Sequence, residues 1–357
     1  MTVFNAKNQG YVTKKYPLFM GEQLGLFDTV NVAYPAIEKL YQQQLAQVWN
    51  EHEVDLTQDR MDMLRVPKET ADLMVKTLSW QHLADSVAAK SIAALLIPFC
   101  TNSELEGMLT IQSFFEIIHS RTYSHIVKQT FVDPNKMIEQ TYNDVGVLLR
   151  SEVIVKAFDE LESLPKDAPT QRKKEVLLKV LVALFALEGI AFMSSFAVTF
   201  AITETDVFQG IGALVAKIAA DEALHTRMDA TVLDVILKDP EWKNTFEQMK
   251  PELKVIVDAV VNQEMQYAEY LFSEGRNVIG LNAALLKEYT LYMAYPIYKF
   301  LGLNFDYQVI EENPLPYMAK YIDPSQMQSA NQEIQNTAYN IGVIENDTLG
   351  LDLDMEF

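Results

Sequence analysis

The chain presents the same pattern of potential metal-binding side chains twice. In each half, an apolar segment with one isolated carboxylate is followed by a segment that contains Glu-x-x-His. The six residues are Asp85, Glu116, His119, Glu188, Glu222 and His225. Residues three apart lie on one face of an α-helix, so each Glu-x-x-His would direct a carboxylate and an imidazole to one place. One such pair alone is more often an exposed helical pair, but two of the chain's five histidines lie in this pattern.

The sequence around these acids predicts that they are buried. Glu188 lies in an apolar run at 185–192, and Glu116 follows two phenylalanines. Burying an isolated carboxylate is very costly unless a cation neutralises it. Four carboxylates and two imidazoles suit a pair of divalent metal ions in a four-helix bundle, where two helices give one carboxylate each and two give Glu-x-x-His. The pattern therefore predicts a dinuclear metal centre.

Tyr123 lies on the segment that carries Glu116 and His119. It is four residues beyond the histidine and seven beyond the glutamate, so its phenol returns to the same helical face. A helical tyrosine is usually ordinary core, but this position suits a redox-active tyrosine beside a transition metal. His125 is about 240° around the helix from His119 and is predicted to be structural.

Hydrophobic periodicity predicts an all-α chain, because strand-like alternation never extends beyond a few residues. We expect a polar connection at 52–65, one helix from Asp133 to about residue 161, a loop at Asp239-Pro240 and a helix beginning near Pro251. Three regions follow: an N-terminal arm at 1–32, a helical metal-binding domain at 33–324, and a tail at 325–357. The tail is polar and acidic, which fits either disorder or a docking peptide that orders on a partner.

Composition excludes several classes of function. The net charge of −20 argues against binding to a nucleic-acid backbone. Cys100 is the only cysteine, so no intrachain disulfide can form, which suits a reducing cytoplasm. The first 21 residues lack the apolar core of a signal peptide, and the longest apolar run, 181–202, contains Glu188 and is predicted to be a buried helix. We therefore expect a cytoplasmic protein that binds neither nucleic acid nor membrane.

With these motifs, the chain resembles the small, radical-generating subunit of class I ribonucleotide reductase. The resemblance extends from Trp49 to Tyr339. It is carried by Leu83-Ala84-Asp85-Ser86, by the stretch from Glu116 to Ile126, by Leu187-Glu188 and by Asp221-Glu222-Ala223-Leu224-His225. It implies a ferritin-like helical bundle with a central four-helix di-metal site and a flexible C-terminal tail.

The resemblance also implies roles for individual residues. The metal ligands would be Asp85, Glu116, His119, Glu188, Glu222 and His225. A stable radical would form on Tyr123, inside an apolar pocket made by Phe192, Phe196 and Ile218.

A path for radical transfer is implied as well. It would begin at Trp49, which is hydrogen-bonded to Asp221 and linked through it to His119. Tyr339 in the tail would continue it toward the large subunit, with Glu333 as an acid that assists the transfer.

The implied cofactors are a tyrosyl radical and a dinuclear metal centre, with two iron ions preferred over an iron–manganese or a dimanganese pair. The oxidant would be O₂ or superoxide, and a flavodoxin-like activase is among the implied partners. The chain would form a homodimer, and its tail would dock on the large subunit, where ribonucleotides are reduced to deoxyribonucleotides. Because Cys100 is the only cysteine, the chain could not reduce ribonucleotides unaided.

Three positions depart from the family pattern. Well-studied bacterial members have tryptophan where this chain has Gln112, often arginine at the position of Ala191, and arginine at the position of Ala220. Residues around the ligands tune a metal site, so these departures bear on metal choice and radical stability.

Two other functions suit a di-metal bundle: ferritin-like metal storage and oxidation of a substrate by a di-metal oxidase. Against storage stand Asp85 in place of the usual glutamate, the position of Tyr123 and the long acidic tail. Against a substrate oxidase stands the path from Trp49 to Tyr339, for which such an enzyme has no use.

Overall fold

The computed structural model describes residues 5–13, 17–22 and 25–322. Over these ranges the chain forms helices and no β-strand, which confirms the all-α prediction. The α-helices are α1 Gly10–Thr13, α2 Pro35–Ala46, α3 Thr57–Arg65, α4 Lys68–Ser91, α5 Ser103–Thr130, α6 Pro134–Asn143, α7 Val145–Arg150, α8 Glu152–Glu162, α9 Thr170–Ala186, α10 Met193–Thr203, α11 Gln209–Ile236, α12 Pro240–Leu271, α13 Ala283–Leu301 and α14 Ala319–Ile322. There are also π-helical turns at Ile92–Leu96 and Leu187–Phe192, and 3₁₀ turns at Ile97–Phe99 and Pro316–Met318.

Four long segments form the centre of the fold: α4, α5, α11 and the continuous segment in which the turn Leu187–Phe192 joins α9 to α10. Helix α4 packs along α5, and α10 contacts both α4 and α11. Helix α12 packs on α9 and on α13. This arrangement is the ferritin-like bundle that the resemblance implies.

Two helical segments, Lys68–Phe99 and Thr170–Thr203, are long and apolar enough to cross a membrane. In Thr170–Thr203, 94% of the most apolar window is buried against other parts of the bundle. Lys68–Phe99 packs along α5 and α10 and carries Asp85, whose side chain is fully buried. Thr170–Thr203 is therefore a core helix whose apolar residues are accounted for by packing, whereas 39% of the most apolar window of Lys68–Phe99 is buried.

The polar connection predicted at 52–65 is partly wrong, because α3 occupies its second half. Asp59 and Asp62 are buried on α3, and their carboxylates accept hydrogen bonds from the start of α11. Asp59 accepts from the backbone N–H groups of Gly210 at 3.2 Å and Ile211 at 2.8 Å, and Asp62 accepts from Phe208 N–H at 2.9 Å. These acids look like solvent-exposed residues in the sequence, but they are caps for a distant helix.

Two helix boundaries also differ from the predictions. Helix α12 begins at Pro240 instead of near Pro251, because the Asp239 carboxylate caps it by accepting from Glu241 N–H at 2.8 Å. The single helix predicted from Asp133 to about residue 161 is three helices, α6 to α8.

The cap by Asp59 gives a testable prediction for stability. Asp59→Ala leaves two buried N–H groups of α11 without acceptors, so we expect the free energy of unfolding to fall by about 2 kcal/mol. Asp234→Ala is the control, since it removes a partly exposed i,i+4 partner of Lys238 on the same helix and should change stability by less than about 0.5 kcal/mol. Urea unfolding measures both, and equal effects would contradict the assignment.

Candidate metal centre

The six predicted ligands come from four helical segments and meet in the bundle. Each of their side chains is fully buried. Asp85 comes from α4, Glu116 and His119 from α5, Glu188 from the turn Leu187–Phe192, and Glu222 and His225 from α11. The predicted pattern of two isolated carboxylates and two Glu-x-x-His pairs is therefore assembled in one place.

Their oxygen and nitrogen atoms form two overlapping ligand sets. One set is Asp85, Glu116, His119 and Glu222, and the other is Glu116, Glu188, Glu222 and His225. Within each set the ligand atoms lie within 4.8 Å of one another. Glu116 and Glu222 belong to both sets, which is the placement that bridging carboxylates between two ions require.

Short distances inside the sets do not correspond to hydrogen bonds in every case. His119 Nδ1 lies 2.9 Å from Glu222 Oε1, yet neither atom has a hydrogen-bond partner among the described residues. Both oxygens of Asp85, Glu116 and Glu188 are likewise buried without a hydrogen-bond partner in that part of the chain, although Glu116 Oε1 lies 2.9 Å from His225 Nδ1. Four buried carboxylates with only two imidazoles to offset them are strongly unfavourable, so the cluster fits two cations.

Glu188 reaches the site from a π-helical turn, a feature that occurs often at functional sites. The next residue, Gly189, lets neighbouring helices approach closely. A Cβ atom at this position would lie 2.6 Å from Ile297 Cδ1 and 3.1 Å from Thr226 Cγ2. A side chain at this position would require Ile297 and Thr226 to shift or the turn to move.

In the absence of metal ions, protonation of some of its groups reduces the net negative charge of the cluster. Burial tends to lower the pKa of His119 and His225, but Glu222 and Glu116, with Asp221 in the case of His119, together raise both, that of His225 to about 10. Burial would raise the pKa of Glu222, but the two imidazoles hold it well below its usual range. Burial and neighbouring carboxylates raise the pKa of Asp85 and Glu188. Divalent cations would displace these protons, so metal binding should release protons.

Tyr123 is fully buried, and its hydroxyl has no hydrogen-bond partner within the described ranges. Burial raises its pKa well above the usual value, and the charges of Asp85, Glu222 and Glu116 raise it further. The phenol is therefore neutral and close enough to the ligand carboxylates to be affected by their charge. The proposed pocket residues Phe192, Phe196 and Ile218 are fully buried in the same core, with the two phenylalanine rings stacked at 5.7 Å.

A hydrogen-bonded chain leads from the ligands toward the surface. His119 Nε2 lies 3.1 Å from Asp221 Oδ2, and Trp49 Nε1 donates to the same oxygen at 2.7 Å. The Trp49 and His119 rings are stacked at 6.1 Å. A carboxylate on the far nitrogen of a metal-binding histidine fixes the ring's tautomer and orientation.

Sequence reasoning missed Gln44, whose amide donates to Asp221 Oδ1 at 3.0 Å. Gln44 is fully buried. A signal was available, since Gln44 follows Ile37 by seven residues and Leu40 by four, which places a polar side chain on the buried stripe of α2.

The remaining predicted positions are less informative. Tyr339 and Glu333 lie outside the described residues. Gln112 is fully buried one turn before Glu116, and its amide has no partner among the residues that the structure describes. The carbonyl of Ala191 accepts a hydrogen bond from the Arg150 side chain.

Comparison with known proteins gives the family. Residues 26–314 match the model described as ribonucleotide reductase, small chain. The chain is 30% identical over 353 residues to ribonucleoside-diphosphate reductase 1 subunit beta of Salmonella typhimurium, with 93% of each chain covered. It is 29% identical over 351 residues to the corresponding subunit beta of Haemophilus influenzae, again with 93% of each covered.

Solved structures agree on the fold. The ribonucleotide reductase R2 subunit from Clostridium botulinum has a TM-score of 0.80 at 21% identity, covering 90% of this chain and 98% of that one. The dimanganese(II)-NrdF of Streptococcus sanguinis has a TM-score of 0.67 at 18% identity, covering 83% and 99%. The family match over most of the sequence and the relatives that span nearly all of it show that this chain belongs to the small-chain family of ribonucleotide reductase, the beta subunits of an oxidoreductase.

Proposed function

We propose that this small subunit holds two iron or manganese ions, oxidises Tyr123 to a stable radical and lends that oxidising equivalent to the large subunit. The observation that carries the proposal is the position of Tyr123. Its phenol is buried, its hydroxyl has no hydrogen-bond partner among the described residues, and it lies on α5, which supplies ligands to both sets. A metal pair bound there would supply the oxidising chemistry, with O₂ or superoxide as the oxidant.

The chain itself provides Tyr123, which would lose one electron and one proton when it is oxidised to the radical. The raised pKa keeps the proton on Tyr123 until oxidation occurs. Among the ligand carboxylates, Asp85 raises that pKa the most. Phe192, Phe196 and Ile218 are fully buried and would form the apolar walls that keep water and reductants away from the radical.

Radical transfer would start at Trp49. One oxygen of the Asp221 carboxylate accepts the Trp49 indole N–H and also lies 3.1 Å from His119 Nε2. This shared oxygen supports an electronic link between the metal centre and the Trp49 ring. Tyr339 and Glu333 in the tail would continue the path, and the tail at 325–357 would dock on the large subunit.

We also propose that the protein is a cytoplasmic homodimer and that a flavodoxin-like activase is one of its partners. Phe114 and Ile117, on the helix that carries Glu116, are 46% and 48% exposed, and adjacent exposed apolar side chains mark protein interfaces. The single cysteine in the sequence suits a reducing compartment.

Reconstitution tests the proposal. The full-length chain is loaded separately with Fe(II) and Mn(II) in air, bound metal is counted, and low-temperature EPR spectra are recorded. We expect two ions per chain, one for each ligand set, and a tyrosyl signal with at least one metal. For Mn(II), the experiment is repeated with a reduced flavodoxin-like protein as the source of activated oxygen.

The alternatives give different results. Many ions per chain would indicate metal storage. Two ions with no organic radical under any of these conditions would favour a substrate oxidase.

A further inference from the structure

Arg150, at the end of α7, has a fully buried guanidinium group that the proposed chemistry does not use. Its side chain is 1% exposed and pairs with Glu264 on α12, where Nε and Nη2 donate to the two carboxylate oxygens at 2.6 and 2.5 Å. The same Nη2 also donates to the carbonyl oxygen of Ala191 at 2.9 Å, and Nη1 lies 3.5 Å from Ser195 Oγ. A single cation thus connects α12 with the segment that carries Glu188.

Two aromatic rings enclose this guanidinium. Its central carbon lies 3.5 Å from the centroid of Trp80 and 4.3 Å from that of Tyr267. Trp80 in turn packs on Phe192, the last residue of the π-helical turn, with ring centroids 5.2 Å apart. Arg150 therefore contacts the turn directly through a backbone carbonyl and indirectly through a ring that packs on it.

The contact is well placed to control Glu188. Ala191 follows Glu188 by three residues, so the two lie one helical turn apart. A π-helical turn contains one residue more than a regular turn, and a shift of its backbone by one residue would rotate Glu188 away from His225. Glu188 oxygens have no hydrogen-bond partner among the described residues, so no hydrogen bond would hold them in place if the backbone of the turn moved.

We propose that Arg150 is a positioning residue for the ligand set of Glu188 and His225. It anchors the turn Leu187–Phe192 through the Ala191 carbonyl, and Glu264 holds the guanidinium in place. Among the described residues, neither Asp85 nor His119 contacts this ion pair, although Trp80, whose ring lies 3.5 Å from the guanidinium carbon, is on the same helix as Asp85. The inference rests on the proposed function in one respect, which is that both sets bind metal.

The test uses the double variant Arg150→Met/Glu264→Leu. Removing both charges avoids leaving one buried ion unpaired, and replacing a buried pair by apolar residues is often neutral for stability. Lys76→Met is the control. It removes a largely buried cation that pairs with Asp144 and makes no contact with the turn among the described residues, and the Tyr270 hydroxyl still donates to Asp144 at 2.8 Å.

Two measurements separate positioning from a purely structural role. Hydrogen exchange on the metal-free, full-length protein should be faster at residues 187–196 in the double variant and unchanged in the control. A Mn(II) titration, read by EPR of the free ion, should show one ion bound as in the parent protein and the second bound about tenfold more weakly, the lower end of what indirect ligand partners contribute.

A double-mutant cycle then locates the effect. With Glu188→Ala as the background, the double variant should cause no further loss of Mn(II) affinity, whereas with Asp85→Ala the losses should add. The inference is overturned if the parent protein binds two Mn(II) ions and the double variant binds both equally well, or if its loss is the same in both backgrounds. If the parent protein does not bind two ions, the proposed function fails, while the exchange measurement still decides whether Arg150 anchors the turn.

Discussion

Tyr123→Phe is expected to abolish the tyrosyl EPR signal and ribonucleotide reduction while leaving metal binding intact. The substitution removes only a hydroxyl that is buried and has no hydrogen-bond partner among the described residues. A buried donor without an acceptor is unfavourable, so its loss should leave the free energy of unfolding unchanged or raise it by about 1 kcal/mol. A protein that is at least as stable, binds two ions and forms no radical would show that the hydroxyl is retained for its chemistry.

Tyr289→Phe is the matched control. Tyr289 is also almost fully buried, its hydroxyl also lacks a partner within the described ranges, and burial raises its pKa as well. It lies on α13, which supplies none of the six ligands, although this helix packs on the turn that carries Glu188. We expect this variant to keep the full EPR signal. A signal that survives Tyr123→Phe but disappears in Tyr289→Phe would move the radical to the other tyrosine.

The clustering of the six candidate ligands was predictable from sequence because the information is local. Glu116 with His119 and Glu222 with His225 each lie within one helical turn, so spacing alone places each pair on one face. The isolated acids Asp85 and Glu188 are conspicuous because their neighbours are apolar, and burial of an unneutralised acid is costly. These arguments need no knowledge of how the helices pack.

The residues that support the centre were not predictable in this way. Arg150 is one charged residue among many in the sequence, and its role depends on meeting Glu264, 114 residues further along the chain. Asp59 caps a helix that begins 150 residues later, and periodicity on α3 cannot reveal this. Gln44 is intermediate, since the helical stripe shows that it is buried but not that Asp221 is its partner.

The π-helical turn at Glu188 is a further feature that periodicity misses. Every residue of the run at 181–202 is buried, so the pattern does not reveal a one-residue change in helical register. The sequence correctly predicts a buried helix there, but it does not predict the π-helical turn from which Glu188 projects.

Trp49→Phe is expected to separate radical formation from radical use. The phenylalanine ring keeps most of the stacking on His119, and Asp221 still bonds to His119 and to Gln44, so no buried charge is orphaned. We therefore expect normal metal binding and a normal tyrosyl signal. Ribonucleotide reduction with the large subunit should fall about 100-fold or more, a rise of at least ~2.7 kcal/mol in the barrier, because the ring that would carry the oxidising equivalent is lost.

Trp242→Phe provides the comparison, because the Trp242 indole is about as buried as that of Trp49. Each indole also lies beneath a lysine: Lys174 Nζ is 5.6 Å from the Trp242 ring centroid, and Lys217 Nζ is 5.8 Å from the Trp49 ring centroid. Its ring packs on Phe19 and belongs to no chain that reaches a ligand. Turnover by this variant should remain near that of the parent protein. Full activity in Trp49→Phe would exclude Trp49 from the path. A loss of the tyrosyl signal would mean that the Trp49–Asp221–His119 chain is needed earlier, when Tyr123 is oxidised.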